Sequence, residues 1–469
     1  MRIDRIQLQN FRCYAQAEYE FPRRLDAPPG NGSFHVIIGA NGSGKTAILE
    51  ALAVAASGWF QGVRGDDVRH LRKEDARVVL HRYEQEVREE TQYPVRVEAS
   101  GTAAGVKVRW AREFKGVGRR TNTKETRALE VIAHRRGLEV MDGQDQELPL
   151  ISYYGTGRLW QEPRIREEKR LVKKQSGKAM AEVKKTDLPE YSEQFASRLA
   201  GYRYSVDPRC SPSDLIDWLH FEALSTAQTQ LESKQAKIVK QAISKSFEGC
   251  SGVEFNLKLG KLLLDRKERG PQPFSLLSDG QRNLVAMIGD IAWKAAQLNP
   301  HLGDLVLEQT SGIVLIDELD LHLHPEWQRQ AVETLRTLFP QIQFITTTHS
   351  PFIVQAAREG EVIVLEGQPV PQTEKLGVEA ISRGLMHVTR PDVSPRYREM
   401  VAAAKEYLVT LDEASMAPEE KLAAFEERLA AAKGPFADNP AFQAFLELKH
   451  EAKLGDHKNG SSGAAVATA

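Results

Sequence analysis

Cysteine is scarce in this chain. Its 469 residues hold three, Cys13, Cys210 and Cys250. Their odd number and wide spacing exclude a disulfide framework and a zinc site of the Cys-x-x-Cys kind. A reducing cytoplasm is the expected compartment. Charge of one sign is missing too: 63 basic residues nearly cancel 64 acidic ones, leaving −1. That excludes a chain that gathers nucleic acid by its overall field, so any basic surface must be local. No apolar run is expected to span a membrane, and Met1-Arg2-Ile3-Asp4-Arg5 leads straight into strand-like alternation, so no leader is expected. No internal repeat is visible. What remains is 41% hydrophobic and 27% charged, an ordinary globular composition. The length provides core for roughly two to three domains.

What is present starts with Gly39-Ala40-Asn41-Gly42-Ser43-Gly44-Lys45-Thr46, of the form G-x-x-x-x-G-K-[ST]. In such a loop glycines let successive N–H groups converge on one phosphate chain. Lys45 would reach the β- and γ-phosphates of ATP, and the Thr46 hydroxyl would ligate Mg²⁺. The apolar run Phe34-His35-Val36-Ile37-Ile38 before it reads as a buried strand. Residues 46–58 after it read as a helix whose N-terminus favours the anion. A chance glycine turn does not come with both flanks.

The rest of the chain divides by texture. Residues 1–59 hold two short strands and the P-loop. Residues 60–150 are β-rich, with Val95-Arg96-Val97-Glu98-Ala99 and Val106-Lys107-Val108-Arg109-Trp110 as paired strands. Within them residues 112–136 read as an exposed basic arm. A strand at 148–154 ends at Gly155-Thr156-Gly157-Arg158. Residues 151–273 combine a charged lid over 160–190, basic at 164–185, with one long helical segment from Ser213 towards Phe247. The lid is a solvated surface or a contact for phosphates or a partner. Residues 274–367 return to alternating strands and helices, 368–454 read as helices for partner docking, and 455–469 as a disordered tail.

A second acidic element suits the first. Ile313-Val314-Leu315-Ile316-Asp317-Glu318 is an apolar strand closed by two carboxylates. Such a pair is expensive to place there unless a cation uses it. Asp317 would hold the metal, and Glu318 would orient or deprotonate the attacking water.

Leu276-Leu277-Ser278-Asp279-Gly280-Gln281-Arg282 resembles the LSGGQ signature of ABC-type ATPases, with Asp279 in place of a glycine. Ser278 alone reads equally as a helix N-cap. Thr347-Thr348-His349-Ser350 resembles the switch-histidine loop, and Leu8-Gln9-Asn10-Phe11-Arg12 resembles the opening of SMC/RecF-like ATPases. Leu321-His322-Leu323-His324-Pro325 resembles the D-loop of OLD-like ATPases. The two histidines there could also suggest a metal. At finer grain, residues 148–160, 277–282 and 436–442 resemble a bacterial AAA/ABC-ATPase group that includes the ATPase subunits of Septu-type anti-phage systems.

The resemblance implies an α/β fold: an ABC-type P-loop ATPase head with a mixed sheet, a helical insertion and a C-terminal helical region. It implies ATP and Mg²⁺ as cofactors, and a nucleotide held by Gly39, Asn41, Gly42, Ser43, Gly44, Lys45 and Thr46. Thr46 and Asp317 are the implied metal ligands, Glu318 and Lys45 the catalytic groups, and His349 the sensor of γ-phosphate. Two heads would close head to tail, so that Ser278 and the Gly280 amide of one copy complete the site of the other. Arg12 would contact phosphate or pair at the surface. Arg158 or Gln161 would couple nucleotide to the lid. No nuclease motif is visible. A separately encoded HNH nuclease is the implied partner, with nucleic acid reached through the complex and no membrane. The alternative is a stand-alone DNA-end or repair ATPase using the basic residues 112–136 and 164–185.

Overall fold

A computed structural model describes residues 1–23, 32–63, 68–83, 86–117, 121–158, 197–208, 213–246, 249–365, 376–386, 395–415, 422–436 and 440–459. The charged stretch 160–190 and Gln161 lie outside the described residues. The described residues form two units, divided between His387 and Val388.

In the first unit, β1 (Arg2–Phe11) turns into β2 (Tyr14–Glu20). The P-loop strand β3 (Ser33–Ile38) feeds helix α1 (Lys45–Ala56). Two hairpins follow, β4 (Val78–Tyr83) with β5 (Glu86–Thr91) and β6 (Val95–Ala103) with β7 (Val106–Phe114). Helix α2 (Arg127–Met141) then leads to β8 (Leu150–Tyr154). Strands β1, β2, β6 and β7 make an antiparallel sheet in the order β2-β1-β6-β7.

Helix α1 touches strands of this sheet and of the parallel sheet described below. Its sequence explains the position. Ala47, Ile48, Leu49, Ala51, Leu52, Ala53, Val54, Ala55 and Ala56 are apolar all round and all buried. The segment Lys45–Val63 is apolar and long enough, by composition, to cross a membrane, contrary to the sequence expectation; 72% of it is buried inside the protein. Burial between two sheets accounts for that apolarity.

The single helix expected from Ser213 towards Phe247 is two. Helix α3 (Ser213–Thr229) and α4 (Lys234–Ser246) are separated by Gln230, at φ +56°. Ser233 starts the second one, its hydroxyl accepting from the Ala236 N–H at 3.0 Å. Strands β9 (Cys250–Asn256), β10 (Lys261–Arg266) and β11 (Gly270–Pro273) form a small antiparallel sheet. Helix α5 (Asp279–Leu298) is almost wholly buried. Strand β12 (Gly312–Ile316), helix α6 (Pro325–Leu338), strand β13 (Ile342–Thr347), helix α7 (Pro351–Ala356) and strand β14 (Val362–Val364) complete the core.

The central sheet is parallel throughout, in the order β14-β3-β13-β12-β8. The loops leaving β3, β8, β12 and β13 therefore emerge at one carboxyl edge, where open α/β sheets place their ligands. Helix α8 (Val378–Gly384) also belongs here, since Ile381 and Leu385 join the main core. The head thus extends beyond the boundary at 367 read from the sequence.

The second unit holds α9 (Pro395–Ser415), α10 (Leu422–Lys433) and α11 (Pro440–Asn459). It has its own core of Tyr407, Leu411, Leu429, Phe436, Phe442 and Leu446. Helix α11 runs to Asn459, so the first residues of the expected disordered tail are helical.

The basic arm expected at 112–136 is corrected over its described residues; Arg119 and Arg120 lie outside them. Arg112 lies in β7 and is fully buried. Its guanidinium donates to Val54 O at 3.1 Å, Arg69 O at 2.8 Å and Ser57 Oγ at 2.6 Å. Val54 is in the last turn of α1, so the cation sits where that helix's carbonyls are unsatisfied. Burial, with Arg69 nearby, lowers its pKa to about 10, which leaves it charged at neutral pH. Arg127, Arg135 and Arg136 lie on α2 and pair with Glu130 and Glu139. Arg112→Ala should remove three buried hydrogen bonds, leaving Val54 O and Arg69 O to the Ser57 hydroxyl, and destabilise the head by about 2–4 kcal/mol. A thermal melt in which the variant matches wild type would contradict this.

Candidate active site

The P-loop is shaped by its glycines. Gly42 and Gly44 have φ of +80° and +97°, where a side chain is strained. A Cβ on Gly44 would lie 2.4 Å from the Tyr14 hydroxyl and 2.6 Å from the Cys13 sulfur. Tyr14 donates to Ser43 O at 3.0 Å, tying the start of the chain to the loop. Lys45 is buried at the N-terminus of α1, and Nζ donates to Gly39 O at 2.8 Å and Ala40 O at 3.0 Å. Ser43 Oγ is buried with no hydrogen-bond partner among the described residues. A phosphate chain in the loop would satisfy that hydroxyl and draw the ammonium outward.

The acidic strand end reaches the same place. Asp317, only 3% exposed, accepts from Thr46 Oγ1 at 2.9 Å and from Thr347 Oγ1 at 2.6 Å. A carboxylate and two hydroxyls so close form an all-oxygen donor set of the kind Mg²⁺ prefers. Thr46 and Asp317 would hold the ion, which would neutralise phosphate charge. The residues therefore fit ATP with Mg²⁺. Glu318 is half-buried beside them at φ +48°. Its N–H donates to Thr347 Oγ1 at 2.8 Å.

Helix α5 begins at the signature. Ser278 is exposed and caps it, its hydroxyl accepting from the Gln281 N–H while Gln281 Oε1 accepts from the Ser278 N–H. The structure thus displays the capping role directly. Gly280 is required by its own chain: a Cβ there would lie 2.1 Å from His322 O. The signature turn is packed on the D-loop, with Asn283 Nδ2 donating to Leu321 O at 3.4 Å.

His349 is exposed at the end of β13, and its N–H donates to Asp320 Oδ1 at 3.2 Å. Asp320 also accepts from Thr348 Oγ1 at 2.6 Å, so the acid fixes the histidine loop. His322 lies at φ +61°, and His324 caps α6. No group of three or more His, Cys, Asp or Glu placed to hold a metal occurs among the described residues. Arg12 pairs with Glu50 of α1 and with Asp75, which Arg69 also contacts. Of its two expected roles, the structure shows the ion pair.

Three contributors escaped the sequence reading or were underweighted by it. Thr347 stands in the sequence only as the first residue of the histidine loop, and Asp320 has no motif of its own. Arg158 reads in the sequence as one of two residues coupling nucleotide to the lid, yet it is 4% exposed and lies against the acidic strand.

With this geometry in hand, comparison with known proteins gives matching families. Residues 5–251 match an AAA domain model, and residues 160–355 match a model described as AAA domain, putative AbiEii toxin, Type IV TA system. The chain is similar to the retron Vc95 probable ATPase of Vibrio cholerae serotype O1 biovar El Tor, 24% identical over 77% of this chain and 74% of that one. It is 40% identical to the retron Ec83 probable ATPase of Escherichia coli, over 26% of this chain and 22% of that one. Against the Septu protein PtuA of Bacillus thuringiensis it is 38% identical over 20% and 23% of the two chains. Those two matches span less than a quarter of each relative's length. Among solved structures, an SMC head bound to the C-winged helix domain of ScpA matches 77% of this chain and 94% of that one, at 16% identity and a TM-score of 0.42.

Proposed function

Because this chain belongs to the AAA-domain family, matched over residues 5–251, we propose that it is the ATP-hydrolysing regulatory subunit of a prokaryotic anti-phage defence complex. The observation that carries the reading is the meeting of Thr46, Asp317 and Thr347 within 2.9 Å, with Glu318 alongside. That constellation suits metal-assisted attack of water on a phosphoryl group, in which positioning and charge do most of the work. Lys45 and the loop amides bind the phosphates, Asp317 and Thr46 hold the ion, and Glu318 handles the water's proton. His349, exposed on a loop fixed by Asp320, senses the γ-phosphate in this reading.

The similarity to retron and Septu ATPases supports the defence setting. In this reading two heads close on ATP, and Ser278 of the second copy completes the first site. Closure gates a separately encoded HNH nuclease in the cytoplasm. The separate C-terminal unit from 388 onward, with its own small core, is the docking element. The DNA-end alternative loses Arg112, which is buried, and the arginines of α2 are engaged by Glu130 and Glu139.

The test is co-expression with the neighbouring reading frame. A stable complex that deletion of residues 388–469 dissolves is expected. Absence of a complex, or one indifferent to that deletion, would refute the docking reading. ATP-dependent dimerisation is checked separately by light scattering of the Glu318→Gln variant with and without ATP.

A further inference from the structure

We propose that Arg158 is a positioning residue that fixes the backbone of the hydrolytic acid and ties it to the signature helix. Arg158 sits in the loop leaving β8. That loop is held from below: the Gly155 N–H donates to Pro208 O at 2.8 Å, and a Cβ on Gly155 would strike Pro208. The guanidinium then makes four hydrogen bonds. Nη1 donates to Gly155 O at 2.9 Å and to Asp317 O at 2.7 Å. Nη2 donates to Glu318 O at 3.0 Å, and Nε to Asn283 Oδ1 at 2.6 Å. All four acceptors are neutral oxygens, and two are the carbonyls of the consecutive acids.

The contact with Glu318 matters because of that residue's backbone. A φ of +48° is uncommon for any residue with a side chain. Conformations of this kind persist only where surroundings over-determine them. Here the surroundings are identifiable. Thr347 takes the Glu318 N–H and Arg158 takes its carbonyl. Together they turn the chain out of the strand direction after Asp317, so that the two carboxylates need not follow strand alternation. Without the clamp at the carbonyl, Glu318 is freer to relax and its carboxylate to swing away.

The fourth bond extends the role. Asn283 lies in the second turn of α5, and its amide also reaches Leu321 O in the D-loop. Further along, α5 is keyed to β8 by a buried seam. Tyr154 donates to Asp290 at 2.6 Å, Lys294 pairs with Asp290 at 2.8 Å, and Lys294 Nζ lies 3.3 Å from Ser152 Oγ. Helix, strand and Arg158 thus form one block, and a shift of the signature turn is transmitted to the Glu318 carbonyl. The cation survives this burial: desolvation lowers its pKa to about 10, with Asp317, Glu318 and Asp320 opposing the shift. It is still charged at neutral pH.

This inference rests on Glu318 being the hydrolytic acid, so the test carries its own control. Full-length wild type and Glu318→Gln are assayed for ATP turnover and for binding of a fluorescent ATP analogue. If wild type turns over no ATP, or Glu318→Gln equals it, the site reading fails and Arg158 is not at fault. Given an active wild type, Arg158→Ala should lose about 10–100-fold in kcat, the range for removing a group that orients a reacting one. Its nucleotide Kd should stay within about threefold, because the loss falls on the transition state. Arg158→Lys should not restore kcat, since an ammonium cannot span the fork's acceptors. Added guanidinium ion should raise the kcat of Arg158→Ala and leave wild type unmoved. Asn283→Ala keeps the fork on both carbonyls and should lower kcat less, again without a matching change in Kd. It decides the matter if the Arg158 variants do not fold. A kcat within about twofold of wild type in Arg158→Lys and Asn283→Ala, or a Kd that rises in step with the loss, overturns the proposal.

Discussion

Glu318→Gln is expected to stop ATP turnover while the nucleotide stays bound. The amide keeps the shape and the backbone held by Thr347 and Arg158, but it cannot take a proton from water. Loss of a positioned general base is worth about 10²–10⁴-fold in rate. The P-loop sequence is untouched, because Lys45 and Thr46 open helix α1 rather than follow β12. Binding of a fluorescent ATP analogue should therefore match wild type. If two heads close on ATP, this variant should accumulate the closed form, since opening would require hydrolysis. A variant that still turns over ATP at close to the wild-type rate would mean another residue handles the water.

Lys45→Ala should fail one step earlier. Lys45 is buried at the mouth of the loop and donates to loop carbonyls at 2.8 and 3.0 Å, bonds it could exchange for phosphate oxygens. Removing it takes away a buried cation at the bend of the loop. A ligand at a hundred times its Kd stabilises a protein by about 2.7 kcal/mol, and that increment should largely vanish in the variant. The readout is the rise in melting temperature on adding ATP and Mg²⁺, clear in wild type and absent in Lys45→Ala. Chelating the divalent ion should shrink the wild-type rise as well, because Asp317 and Thr46 would lose the ion that links them to phosphate. An undiminished ATP-induced rise in Lys45→Ala would overturn the assignment of the loop.

The two variants separate binding from turnover only because the groups come from different strands. Strand β3 carries the loop and β12 carries the acids, with β13 between them supplying Thr347. That order makes Thr347 a shared partner: its hydroxyl donates to Asp317 and accepts from the Glu318 N–H. Ser278 is exposed at the start of α5, where its hydroxyl accepts from the Gln281 N–H.

The sequence by itself determined the parts whose meaning is local. Residues 39–46 declare a phosphate loop because glycines, lysine and threonine act within one turn of chain. The acids at 317 and 318 declare themselves by closing an apolar strand. The alternating strands and helices of 274–367 and the C-terminal helices followed from periodicity, whereas the all-parallel order of the central sheet did not. Long-range pairing is where local reading stopped. Arg112 looked like one more exposed cation in a basic run, and only the sheet reveals that it ends against Val54 of α1. Gly280 looked like a signature residue alone, and only packing shows His322 O filling the space a side chain would need. Arg158 and Glu318 are separated by 160 positions. Their contact exists because β8 and β12 are neighbours in a parallel sheet, which brings the ends of both strands to the same edge. Chain periodicity fixes which residues form elements. Which side chain meets which carbonyl is decided by strand order and close packing, and neither is written in any one stretch of the chain.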